Sequence, residues 1–481
     1  FILQNDIYLS GTSTGSRLEV AGSGKIKVSE NYSKESGKYL NFTGTAPELI
    51  GVTSASSDDI YALALESIAT PTTNSFPNGW INGDKTFIWV GKNHTSWSDS
   101  TNFNWAGNRV PDSSADKEII IRPVSSNYPE MSSDVTAGKI KIEKDNATLT
   151  TGIYTLKTAS YSSTASGKLI ISGGEFEYAG TTTDLEISTP VEITTSGKIT
   201  SSSNLLTLSS VTYTSSPNLT TSGKVKLNGG TVGTLDVTGE LEITGAFTAD
   251  GSVTNSGILT LGTTGNFTGN VTNTGTVNAG SGNVTFDGNY TGTGGTLKGS
   301  TSGNPVITFN GDAVFGTLDI QSDDVVFGKA GNQAVTTNDQ SFSKVTFGGS
   351  GTKTVTGALS ATTLITENGT TTNVSTSVTV SGDTTNDGIL GVGTAGSFGG
   401  TITNGGTLSL GTTGNFAGDV TNTGTLTLGT SAVFEADVTN SGTLNAGTGN
   451  VTFNGKYTGT SGSLVGNTTS NPVITFNSDV I

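Results

Sequence analysis

The chain has 481 residues, a net charge of −16, 68 Gly and no Cys. The absence of Cys excludes disulfides, thiol nucleophiles and Cys-ligated metals. The acidic balance argues against nucleic acid and anionic membrane surfaces as partners, since both call for a basic face.

No apolar run approaches the length of a membrane span. The first residue is Phe1, so the expectation is a trimmed product or a piece of a longer protein. The Gly/Thr/Ser/Asn-rich composition is kept from reading as disorder by apolar residues that recur at fixed spacing.

Residues 1–80 already show the cadence of coils, as in "SGTSTGSRLEVAGSGKIKVSENYS". Residues 81–129 form a Trp-rich connector. All four Trp lie between Trp80 and Trp105, and the skeleton runs Trp89-x-Gly91, Trp97, Asn104-Trp105-x-Gly107, Pro111, then "EIIIRP". Two readings fit this cluster: a sugar-stacking platform, or an aromatic knot that packs the segment against its neighbours. The second is preferred. From 130 to 250 the chain repeats a Ser/Ala-Gly-Lys lead into alternating stretches such as "SGKLIIS" and "SGKVKLN".

Beyond Gly251 the charge thins to 13 acidic residues and 5 Lys, and a strict period appears. Units begin at Ile365, Thr384, Ile402, Val420 and Val438, 18 or 19 residues apart. Columns emerge: Gly369, Gly388, Gly406, Gly424 and Gly442; Asn386, Asn404, Asn422 and Asn440; Leu390, Leu408, Leu426 and Leu444; Phe398, Phe416, Phe434 and Phe453. Such a period marks a solenoid. Val, Ile, Thr and Phe alternate with polar residues, which selects strands, and Gly and Asn interrupt them as turns do.

The expected fold is all-β, a parallel β-helix (β-solenoid) with about 18–19 residues per coil over residues 130–481. At about 4.8 Å per coil, some 18 coils stack to about 90 Å. The Phe and Leu columns should point inward, and the Asn column should bond between coils. The Gly column is expected at corners with positive φ.

A module is written twice, at 253–312 and 420–479. Val271–Asp312 and Val438–Asp479 agree at 30 of 42 positions without a gap. A solenoid tolerates such copying because it lengthens by whole coils. The second copy stops at "NPVITFNSDVI", so the expectation is that the chain continues past Ile481 or that another chain covers that coil.

The Trp-rich block resembles one found in large bacterial surface proteins and autotransporter-type passengers, commonly just ahead of a β-solenoid. The later coils resemble those of filamentous-haemagglutinin-like adhesins. The resemblance implies a right-handed coil and a secreted, cell-surface rod. Its partners would be a host or neighbouring-cell surface, glycans, or copies of itself. It supplies no catalytic residues.

A search for chemistry nominates no catalytic, cofactor-binding or metal-binding residue. His94 is the only histidine, with Asp99 nearby but no nucleophile motif. The adjacent acid pairs Asp58-Asp59 and Asp323-Asp324 should face opposite sides of a strand. Calcium on acidic turns stays open. Asn266 and Asn289 begin Asn-x-Thr sequons, expected by chance in such a composition. The expected function is an extracellular, non-catalytic structural or adhesive rod. A self-assembling filament or sheath subunit and a glycan-binding or glycan-cleaving β-helix are the alternatives.

Overall fold

The structure is a computed structural model. It describes residues 86–89, 91, 94–98, 104–105, 110–123, 126–300, 303–320 and 323–481, together with the backbone of short strands before residue 86. The chain packs as two compact units, residues 1–228 and 229–481.

Among the described residues all regular structure is strand, and the strands pair in parallel. The expected β-solenoid is therefore observed. Most strands alternate inward apolar residues with outward polar ones, as in Val191–Ile193 and Val284–Phe286. Alternation with period two buries one face, and β-branched and aromatic residues fit that face. Each coil's N–H and C=O groups bond to the coils on either side, so the buried backbone is satisfied.

In the first unit the strand Thr86–Trp89 pairs with Ser114–Ile121, which pairs with Val135–Ile142. Val135–Ile142 then pairs with both Thr155–Thr158 and Tyr161–Ser163, so one long strand turns a corner. Two further walls begin here. One runs Thr148–Thr150, Lys168–Ile171, Val191–Ile193, Val211–Tyr213; the other runs Leu185–Ile187, Leu206–Leu208, Lys224–Leu227.

In the second unit the column assignments hold. Phe398, Phe416, Phe434 and Phe453 are register partners, fully buried, with ring centroids 5.5, 4.4 and 4.8 Å apart and near-parallel planes. Leu390, Leu408, Leu426 and Leu444 are likewise in register and buried.

The Gly column needs a different explanation from the one expected. Only Gly369 has positive φ, at 80°. The others are glycine because coils touch there. A Cβ on Gly406 would lie 1.9 Å from the Gly388 carbonyl oxygen, one on Gly424 2.0 Å from that of Gly406, and one on Gly442 2.1 Å from that of Gly424. The constraint is a close approach of backbones between coils, not a left-handed turn.

The duplicated module also departs from expectation. Register followed from Val284–Phe286 passes through Ile307–Phe309, Val325–Phe327, Val345–Phe347 and Leu364–Thr366, then reaches Thr384–Asn386 and runs through Val438–Asn440 to Tyr457–Gly459. The second-copy equivalents of Val284–Phe286 are Val451–Phe453, which stand on another wall beneath Ile474–Phe476. The copy is therefore displaced by whole coils plus one wall. The Phe column of the first copy and the Asn column of the second are one continuous line.

Candidate functional site

Three of the tryptophans form a closed knot in the first unit. Trp89 and Trp97 stack at 6.4 Å, and Trp105 stands edge-on to both at 5.2 and 4.7 Å. All three are at most 1 % exposed. Their polar edges are used internally: Trp89 Nε1 donates to the Asn127 carbonyl at 2.9 Å, and Trp105 Nε1 donates to the Trp97 carbonyl at 2.7 Å. Gly91 of the motif has φ 57°, and a Cβ there would lie 2.1 Å from the Asn127 carbonyl oxygen. Buried rings cannot stack on a sugar, so these three are packing residues. Trp80 lies outside the described residues.

His94 is exposed, and its Nδ1 accepts a hydrogen bond from the Ser96 N–H at 3.0 Å. Asp99, Asp58 and Asp59 lie outside the described residues. Asp323 and Asp324 do face opposite ways. Asp324 points outward and pairs with Lys344 of the next coil at 2.5 Å. Asp323 is fully buried, where its Oδ2 accepts from the Ser300 N–H at 2.7 Å. Burial raises its carboxyl above the usual range, against the pull of that bond, and Asp324 adds to the rise. Asn266 is a half-buried strand residue, and the exposed Asn289 has its Oδ1 engaged by the Asp312 N–H at 2.9 Å.

The charged surface of the first unit is built from pairs between coils. Lys157 meets Glu177 at 2.7 Å, Lys168 meets Glu192 at 2.8 Å and Lys198 meets Glu175 at 3.0 Å. An open groove of about 750 Å³ is lined by Arg122, Lys141, Glu143, Lys144, Asp145 and the Ser162–Thr164 stretch. Within it Arg122 pairs with Glu143, and Lys141 lies 3.4 Å from Glu118 and 3.6 Å from Glu143. Burial works against the Lys141 charge, but the two carboxylates outweigh it and hold the ammonium above the ordinary lysine range. Arg122 and Lys141 are thus paired with carboxylates, which limits the field the groove presents.

One outward face of the second unit carries a column of threonine hydroxyls. Thr385, Thr403, Thr421, Thr439 and Thr458 follow one another in register, one per coil, exposed or half-exposed. Thr254, Thr272 and Thr291 are the corresponding column of the first copy. Because the module is shifted by one wall, the same outward pattern is presented on two walls.

Inside runs a ladder of amides. Asn386 Nδ2 donates to Asn404 Oδ1 at 2.7 Å, Asn404 to Asn422 at 2.6 Å and Asn422 to Asn440 at 2.7 Å. A second donation goes to strand carbonyls, as from Asn404 to Thr425 and from Asn422 to Thr443, both at 3.0 Å. The first copy holds a shorter version, Asn255 to Asn273 at 2.7 Å. The column is structural, each amide bridging two coils. Burial pushes the Tyr290 phenol beside it up to about 12, with the Asn273 hydrogen bond working in the opposite direction.

Sequence reasoning missed two inward polar groups. Gln333 Nε2 donates to the carbonyls of Phe309 and Gly311, and Lys353 Nζ donates to those of Lys329 and Gly331. The signal was present: in "GTKTVTG" alternation puts Lys353 on the same face as Val355.

Comparison with protein-family models, curated proteins and solved structures finds no match to this chain. Among the described residues no helix is long and apolar enough to cross a membrane.

Proposed function

We propose that the protein is an extracellular, non-catalytic surface solenoid of bacterial type, with a structural or adhesive role. One observation carries this reading: the outward pattern of the module is repeated coil after coil in register, and then again on a second wall. Weak contacts made by one Thr-bearing coil are multiplied by its copies, and linked weak sites gain avidity without any single strong one. The partners that suit such a face are neutral and hydroxyl- or amide-rich: glycans of a host or neighbouring cell, or the same face of another copy. Nucleic acid is disfavoured by the net charge of −16.

The test is adhesion of beads coated with the full chain to cells, to immobilised glycans and to chain-coated beads. Retention should fall steeply when Thr403, Thr421 and Thr439 are changed together to Lys, with folding checked by circular dichroism. Unchanged retention in every arm, or turnover of a polysaccharide by the wild-type chain, would overturn the proposal.

A further inference from the structure

The interior of the second unit changes character over a single coil. One inward column reads Phe309, Phe327, Phe347, Thr366, Asn386. A second reads Gln333, Lys353, Thr372, Leu390. The third reads Phe342, Ala361, Val380, Phe398. In the coil that holds Ala361, Thr366 and Thr372, these three columns shrink at once, while Leu359 and Leu364 keep the rest of its interior apolar. Phe342, Phe347 and Lys353 flank it on one side, and Val380, Asn386 and Leu390 on the other.

This coil is also where polar atoms collect. The hydroxyls of Thr366, Thr370, Thr372 and Thr384 and the Oδ1 of Asn386 are buried, with no protein partner. All five residues are at most 1 % exposed. They are neighbours: Thr366 is in register with Asn386, Thr384 stands two residues before Asn386 on the same strand, and the Glu367–Gly369 turn joins Thr366 to Thr370 and Thr372. The head of the first amide ladder offers a contrast. There Asn255 follows Val237 in register, and its Oδ1 is a lone unpartnered atom.

Interiors pack at high density, and an unpaired buried polar atom costs about 1–3 kcal/mol. A site that is both roomy and polar holds ordered water, each molecule making about three hydrogen bonds. We propose that this junction coil encloses a pocket of about two ordered waters, held by Thr366, Thr370, Thr372, Thr384 and Asn386. The water completes the hydrogen bonds where the Phe column hands over to the Asn column, and it gives Asn386 Oδ1 the donor that a preceding Asn supplies elsewhere in the ladder.

The test is oxygen-17 magnetic relaxation dispersion on the full chain, which counts waters with long residence times. It compares the wild type with a variant carrying Thr366→Val and Thr372→Leu, a change that extends the Leu column and fills the layer. The variant should lose about two long-lived waters. Thr384→Val should lower Tm, because it removes a water-bonded hydroxyl while keeping the shape. A high-resolution crystal map of the wild type decides the matter if the filled variant does not fold. Equal water counts, a dry layer with its hydroxyls turned onto backbone carbonyls, or a Tm that depends on the choice of Na⁺ or K⁺ and so marks a bound cation, would each overturn the proposal.

Discussion

Asn440 Nδ2 donates to the phenol oxygen of Tyr457 at 3.1 Å, and Asn273 does the same to Tyr290 at 3.1 Å. Tyr290 and Tyr457 occupy the same place in the two copies of the module. Each amide ladder therefore ends on a tyrosine, which supplies the acceptor that the next asparagine would have supplied.

This makes a specific prediction. Tyr457→Phe keeps the ring against Phe453, which lies 5.1 Å away, but removes the acceptor. An amide hydrogen is then left unpaired inside the solenoid, at a cost of about 1–3 kcal/mol. Tyr290→Phe should cost about the same. Denaturant melts of the two single variants and of the double variant check this, and the two losses should add because the ladders share no partner.

The glycine column gives a second contrast. Gly406→Ala drives a Cβ to 1.9 Å from a backbone oxygen of the neighbouring coil, and neither coil can retreat without breaking its ladder. Gly369→Ala meets nothing within 4 Å and strains only its own φ of 80°, a penalty of about 1–2 kcal/mol. Gly406→Ala should be the more damaging by a wide margin, read as the Tm difference between the two variants. Equal losses would show that left-handed φ, and not contact between coils, governs the column.

Much of this was legible in the sequence, for a physical reason. Phe398, Phe416 and Phe434 recur at one spacing because each must stack on the last. Asn404 and Asn422 recur because each must bond the next. The shift by one wall was not legible. Ala313, Val335, Val355 and Val374 follow Tyr290 in register at steps of 23, 22, 20 and 19. Coils of changing length lose the phase of any fixed period, so the two copies looked displaced by whole coils. The closeness of coils at Gly406 was hidden as well, since a glycine demanded by contact and one demanded by a turn are the same letter.

Asp323 predicts a pH dependence. Its folded carboxyl is raised by burial, with the Ser300 N–H opposing and Asp324 assisting. The folded state therefore binds the proton more tightly than the unfolded state, where the group titrates near about 3.9. Below that value both states are protonated and the group contributes no pH dependence. As pH rises from there to the raised folded value, the unfolded state gains by ionising first, so stability falls. Above the folded value the loss is complete. Asp323→Asn should accordingly raise Tm at pH 7 and flatten the Tm–pH profile across that window. A lower Tm for Asp323→Asn at pH 7 would contradict the assignment.

Lys353 and Gln333 support the last prediction. They are register partners in adjacent coils, and each side chain bridges two carbonyls of the coil before it. The geometry asks for donors at the end of a long side chain, and Gln333 meets it without a charge. Lys353 brings a charge as well, and burial, aided by Lys329, pulls its ammonium below the ordinary lysine range. A lowered lysine value means that ionisation is disfavoured in the folded state. The corresponding cost is present below the folded value and vanishes once pH passes the unfolded one. Lys353→Gln should therefore keep the carbonyl bridge and remove the cost, leaving Tm at pH 7 unchanged or higher. Lys353→Ala should lower it, because two part-buried carbonyls lose their donor and a space opens beside Val355. Melting both variants at pH 7 separates the two contributions, and a Gln variant as unstable as the Ala one would show that the ammonium itself is required.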